Sequence, residues 1–375
     1  MARNIVICCD GTNNDFTGDQ TNVLRLFRSL MRDDRQVAFY DAGVGTISDS
    51  RHLVTPRNKL RKVLDSAIGH TLRDNWCEAY GFLSRTYQPG DRVYVFGFSR
   101  GAFTARAVAG AAHMLGLLRP ECENMLPYAW AAYSGDDGAG QARRLFGDAR
   151  RFQTLFARPE CVSRAGAPLV HFMGVWDTVG SLGWFWNYLT LPFTSSNPSV
   201  GIVRHAVAID ERRAFFRHNL ITPSKLIGGS DQDCREVWFA GVHSDIGGGY
   251  PADDSGLAKV PLEWMFRESE AAGLLVDPER KAACFAGAAE SGADPLGTLH
   301  TSLTPMWWPL EFFPRRAFNS KSGRKKWRLP NLWKRRTLPE GRAVLVHRSV
   351  ETRRAASALA YEPKNLIGKQ VQFVD

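Results

Sequence analysis

The chain has 375 residues, 44% of them hydrophobic and 23% charged, with a formal net charge of +10. That balance excludes a fully disordered chain, and the length fits two or three domains or one large α/β unit with insertions. Net positive charge selects no fold; it favours partners such as nucleic acid, an anionic membrane or an acidic protein.

In chain order, short apolar runs alternate with helical stretches. Ile5–Cys9 runs into Asp10-Gly11-Thr12, and Asn22–Arg32 follows as a short amphipathic helix. Val37–Tyr40 ends at Asp41-Ala42-Gly43. Lys59–Tyr87 has apolar residues at helical spacing and stops at Pro89-Gly90. Val93–Phe96 meets Gly97, and the alanine-rich Ala102–Leu118 reads as helix. Leu169–Trp176 ends at Asp177, and Val237–Val242 ends at His243-Ser244-Asp245. Continuous Val/Ile/Phe-rich runs mark strands covered on both faces, and their alternation with helices predicts a mostly parallel sheet with right-handed crossovers. Residues 120–160 read as helical and polar. Pro261–Ala272 reads as a helix, after which regularity is lost. The chain is therefore expected to be a single α/β domain over 1–375, with core motifs in 3–118 and 165–250 and insertions at about 120–160 and 251–340.

The basic residues are unevenly spread. Residues 312–339 hold ten Lys and Arg and no acid, which leaves the rest of the chain formally neutral. Trp327, Trp333, Phe312, Phe313 and Phe318 interleave with them, and Met306-Trp307-Trp308 lies just upstream. Basic residues attract anionic headgroups and aromatic rings settle at the interface, at about 1 kcal/mol per basic residue. Trp327, Trp333, Arg324, Lys325, Lys326 and Arg335 are the expected membrane or partner contacts; nucleic acid or an acidic partner is the alternative. Ser181–Phe193 is a second apolar stretch, read as a lid or acyl-pocket wall. The seven cysteines form no C-x-x-C pair, which predicts buried reduced thiols rather than a disulfide framework or zinc site. The apolar N-terminal run is too short for a signal peptide, and no run reaches membrane-spanning length. A cytoplasmic protein is expected, with export by a secretion system as the alternative.

Gly97-Phe98-Ser99-Arg100-Gly101 matches G-x-S-x-G between a predicted strand and a predicted helix, the setting a nucleophile elbow requires. A nucleophilic serine needs a base, and the base an orienting acid. Asp177 and His243 each follow a predicted strand, in the chain order Ser, Asp, His used by α/β hydrolases. His347 ends another apolar run and is the rival base. Asp245 is the alternative acid, with Asp253 and Asp254 weaker. The amide of Arg100 and one from Gly11 or Thr12 are the expected oxyanion donors, with Asp10 holding that loop. Asp-Gly-Thr after a first strand also fits a phosphatase loop, but Cys8 occupies the position where that chemistry needs a nucleophilic Asp. No spacing matches a metal loop, and no cofactor is expected.

Six ordered motifs carry a resemblance: Asn4–Asn14, Tyr40–Thr46, Gly97–Phe103, Phe172–Gly180, His205–Arg213 and Val237–Tyr250. Over roughly residues 3–250 the chain resembles the uncharacterised α/β-hydrolase domain family that includes the first class of type VI secretion lipase effectors. The resemblance implies an α/β-hydrolase fold and a Ser99-Asp177-His243 triad. It implies a serine esterase or lipase on lipid or small esters, with phospholipase A activity in some relatives. It further implies an immunity or adaptor protein as partner if the chain is an effector. The competing expectation is a catalytically idle scaffold that binds anionic membrane or nucleic acid through residues 312–339.

Overall fold

The computed structural model describes residues 2–11, 20–43, 70–135, 142–162, 168–179, 191–286, 292–312, 315–319, 324–328, 331–341 and 343–375. Ten strands are found among them: β1 Asn4–Cys9, β2 Gln36–Asp41, β3 Arg92–Phe98, β4 Val170–Trp176, β5 Val200–Ala208, β6 Asp233–Phe239, β7 Arg315–Asn319, β8 Arg324–Arg328, β9 Val344–His347 and β10 Val371–Val374. The main helices are α1 Asn22–Ser29, α2 His70–Thr86, α3 Ser99–Leu115, α4 Leu126–Ser134, α5 Ala142–Phe156, α6 His243–Gly247, α7 Gly256–Ala271, α8 Pro278–Phe285 and α9 Arg348–Ala355.

Eight strands form one parallel sheet in the order β10-β9-β6-β5-β4-β3-β1-β2. The chain steps from β1 out to β2, returns across β1 to β3, and then proceeds strand by strand. This reversal at β1/β3 opens the crevice where open α/β sheets place their ligands, beyond the carboxyl ends of the strands. Alternation along each strand supplies both faces. Ile5, Ile7, Val93 and Val95 enter one core cluster with α2 and α3, while Val6, Cys8, Tyr94 and Phe96 enter another with α1 and α7. Both faces are covered, which explains the continuous apolar runs.

The differences from expectation have local causes. The expected Lys59–Tyr87 helix is described only from His70; the preceding part, like most of the Ser181–Phe193 stretch, lies outside the described residues. β5 escaped the sequence reading because Arg204 and His205 interrupt its apolar run. Both are buried and paired: Arg204 with Asp233 and Glu268, and His205 with Glu236 at 3.0 Å. α7 begins at Gly256, five residues before the expected start. Proline favours first-turn positions, but Pro261 here sits inside the helix. The basic segment is not irregular throughout, since β7 and β8 form a separate antiparallel ribbon pairing Arg316 with Trp327. Cys8, Cys9 and Cys161 are buried and the other four cysteines partly so, all with free thiols.

Candidate active site

Ser99 directly follows β3 and opens α3 with a left-handed backbone, φ 57°. An L-residue tolerates this only where its surroundings impose it, and two glycines allow those surroundings to close in. A Cβ on Gly97 would lie 2.6 Å from Ala102 Cα, and one on Gly101 would lie 2.2 Å from the Cys9 carbonyl oxygen. The elbow is thus wedged against the carboxyl end of β1. Asp177, just past β4, also has a left-handed backbone, φ 38°, and is fully buried.

These turns and α6 bring three distant side chains into a line. His243 Nε2 stands 2.8 Å from Ser99 Oγ, and His243 Nδ1 stands 2.5 Å from Asp177 Oδ2. The imidazole lies between Phe98 and Phe216, with ring centroids 4.7 and 4.8 Å away. Burial lowers its proton affinity below the usual value, against the opposing pull of Asp177. A neutral imidazole can accept a proton from the serine hydroxyl. At Asp177, burial disfavours the charge, but the Arg336 guanidinium and His243 outweigh it and hold the carboxyl well below its usual range.

The alternatives lie elsewhere. His347 caps α9 through Ser349 and stacks on Phe239 at 4.6 Å, so it does not partner Ser99. Asp245 accepts from Val242 N–H and faces His300 at 2.6 Å, not His243. Asp254 takes the other His300 nitrogen at 2.8 Å. Asp10 accepts from the Thr21 and Tyr40 hydroxyls. It also accepts the Gly11 N–H at 2.6 Å, which turns that amide away from the expected oxyanion role. Thr12 lies outside the described residues. The Arg100 amide belongs to the first turn of α3, whose N–H groups point toward the helix N-terminus beside Ser99.

Two residues of the site were missed. Glu211 accepts from the His243 N–H at 3.1 Å, from Ser302 and from Arg213, which fixes the start of α6 against the loop after β5. Burial raises its carboxyl, but the Arg213 bonds prevail and bring it down to about 2. The sequence did carry this signal, in the acidic-basic run Asp210–Arg213. The second is Arg336, whose guanidinium grips Asp177 at 2.5 and 2.9 Å.

Arg336 comes from the basic segment, so that segment is not separate from the site. Arg335 and Trp333, expected as membrane contacts, are also engaged within the fold. Arg335 pairs with Asp210 at 3.1 Å, and Trp333 packs against Trp308 and Phe312 while its carbonyl accepts from Arg212. Trp327, Arg324, Lys325 and Lys326 lie on β8. Among the described residues of this stretch, the large apolar side chains that face solvent are Met306, Trp308, Phe312 and Leu332. A cavity of about 390 Å³ next to Val242 is lined by Arg212, His300, Ser302, Trp308 and Trp333 among others. No helix among the described residues is long and apolar enough to cross a membrane.

A parallel α/β sheet with a serine elbow beyond β3 defines the α/β-hydrolase class of fold. Residues 3–268 match the catalytic domain of the type VI secretion system (T6SS) phospholipase effectors of the Tle1-like kind, and the chain belongs to this family. It is 37% identical over 237 residues to the uncharacterized protein YEL023C of Saccharomyces cerevisiae, a match covering 60% of this chain and 33% of that protein. Among solved structures, an uncharacterized protein from Pseudomonas aeruginosa is similar with a TM-score of 0.42 and 20% identity, covering 75% of this chain and 47% of that one. The Tle1 effector bound to the VgrG spike of the type VI secretion system gives a TM-score of 0.34 and 19% identity, covering 67% and 53%. The chain thus spans a third of its curated relative and about half of each solved neighbour.

Proposed function

We propose that this chain is a serine hydrolase of lipid acyl esters. The observation that carries the reading is the Ser99–His243–Asp177 line, with hydrogen bonds of 2.8 and 2.5 Å. Ser99 Oγ attacks the ester carbonyl carbon as its proton passes to His243 Nε2. Asp177 stabilises the resulting imidazolium without taking the proton itself. The oxyanion draws on the Arg100 amide and the positive end of α3. Collapse of the tetrahedral intermediate breaks the ester C–O bond, and the leaving alcohol takes the proton from Nε2. Water, deprotonated by His243, then releases the acid from the acyl-enzyme. Membership of a phospholipase-effector family supports a lipid as the substrate. Exposed Met306, Trp308 and Phe312, just ahead of the basic β7–β8 ribbon in sequence, support delivery to an anionic bilayer.

A fluorophosphonate probe tests the chemistry. Labelling should occur at Ser99 and vanish in Ser99→Ala, together with release of fatty acid from anionic phospholipid vesicles. Equal hydrolysis by wild type and Ser99→Ala would sink the reading. No labelling, combined with tight vesicle binding, would favour an idle scaffold.

A further inference from the structure

We propose that Arg336 is a positioning residue of this active site, fixing the carboxylate plane of Asp177 so that Oδ2 faces His243. The inference rests on the hydrolase reading above and extends it to a residue beyond position 268, where the match to the family's catalytic domain ends.

The geometry is that of a two-pronged clamp. Arg336 is 5% exposed, and its two terminal nitrogens reach Asp177 Oδ1 and Oδ2 separately. Its remaining bonds go to the carbonyls of Phe216 and Ala208. Each Asp177 oxygen then has one further donor: Ala208 N–H on Oδ1 at 2.9 Å, and His243 on Oδ2. Two bonds alone would leave the carboxylate free to rock about its Cβ–Cγ bond. A planar fork bonded to both oxygens fixes that torsion, which a point-like ammonium cannot do.

Arg336 is itself held in place. Its carbonyl accepts from Asn365, its neighbour Arg335 pairs with Asp210, and buried Glu311 anchors the strap ahead of it through Asn331 and the amides of Ala214 and Trp333. The strap that follows the basic ribbon therefore ends inside the active site.

The clamp also sets the charge that His243 experiences. The charged groups facing the imidazole are Asp177 after β4, Glu211 and Arg213 after β5, and Arg336 behind Asp177. Removing the guanidinium takes away a positive charge that opposes imidazolium formation. The acid limb of the kcat/KM profile should then move to higher pH. A role in folding alone would leave that limb in place.

The test uses the full chain and a soluble chromogenic ester. Arg336→Gln should lower kcat about 10- to 100-fold, the range found when the outer-shell partner that orients a metal ligand is lost, with KM within about threefold of wild type. Its acid limb should shift upward. Arg336→Lys should recover part of kcat, and millimolar guanidinium ion should partly rescue Arg336→Gln. In an Asp177→Asn background, Arg336→Gln should cost less than about twofold, because the clamp has nothing left to position. Equal fold-losses in both backgrounds, or an unmoved acid limb with wild-type kcat, would overturn the proposal. If Arg336→Gln alone does not fold, Arg336→Lys and the double variant, which leaves no unpaired buried charge, decide between the same outcomes. Fluorophosphonate labelling of the wild type separates the two ideas. An unlabelled Ser99 defeats the hydrolase reading, whereas labelling with uncoupled variants defeats only the role of Arg336.

Discussion

Asp177→Asn is the sharpest perturbation of this site. It changes side-chain volume little but removes a fully buried charge that accepts from Ala208 N–H, His243 and both prongs of Arg336. An amide offers one oxygen and one NH2, so one prong of Arg336 faces a donor in either orientation, and His243 does too when the NH2 takes the Oδ2 position. Arg336 is also buried, so little water relieves the stranded guanidinium. Removing one partner of a buried ion pair costs on the order of 3–5 kcal/mol of stability. The catalytic loss has a different origin. The imidazole is held in the wrong tautomer, which in serine triads costs about 10⁴ in kcat, or about 5.5 kcal/mol of transition-state stabilisation. Urea unfolding at pH 7 measures the first effect, and ester hydrolysis at saturating substrate measures the second. A variant with the wild-type urea midpoint and more than about a tenth of wild-type kcat would refute the view that Asp177 is the charged partner of both groups.

Three further outcomes follow from the same structure. Gly101→Ala drives a methyl group to 2.2 Å from the Cys9 carbonyl oxygen, so the elbow or the end of β1 must move; we expect a loss of about 3 kcal/mol or more by urea unfolding, and an unchanged midpoint would contradict the packing. His347→Gln should keep kcat within about twofold of wild type, because the ring caps a helix away from Ser99; a hundredfold loss would restore it as the base. His218 is half-buried beside Trp238, and desolvation, aided by Arg336, lowers its pKa to about 3. Its folded pKa lies below its unfolded value, so its stabilising contribution is present above about pH 6.5 and is lost as pH falls toward 3. Stability of His218→Phe should therefore fall less steeply between pH 6 and 4, by up to about 1.4 kcal/mol per pH unit, and parallel curves would show that His218 does not titrate with folding.

How much could be read in advance depended on what local sequence encodes. The elbow was legible because its glycines are demanded by contacts one or two residues away from the serine. Asp177 and His243 were legible because strand ends, turn residues and chain order are all linear features. β5 was harder. Arg204 and His205 look like loop residues until Asp233, Glu268 and Glu236 are brought beside them, and those partners lie 29 or more residues away in β6 and α7. The oxyanion donors proved the least legible. The Gly11 amide belongs to a flexible residue type, and its direction is set by whether the Asp10 side chain captures it, as it does here.

The basic segment shows why a charge count cannot separate delivery from chemistry. Ten basic residues in 28 positions contribute equally to the +10, and in water each is equivalent. Folding makes them unequal. Lys334, two residues before Arg336, is exposed, while Arg336 is 5% exposed and sits on a carboxylate 159 residues away in sequence. In water, an ion pair at that contact is worth about 1 kcal/mol; at low effective dielectric it is worth several times that, and the desolvation of both ions is tolerable only because each is bonded on every side. The charge that Asp177 depends on is therefore one withdrawn from any membrane. Neutralising the β8 cations Arg324, Lys325 and Lys326 should weaken binding to anionic vesicles and leave hydrolysis of a soluble ester unchanged, whereas neutralising Arg336 should do the reverse. A loss of soluble-ester kcat from the β8 changes would mean that the ribbon, too, belongs to the catalytic architecture.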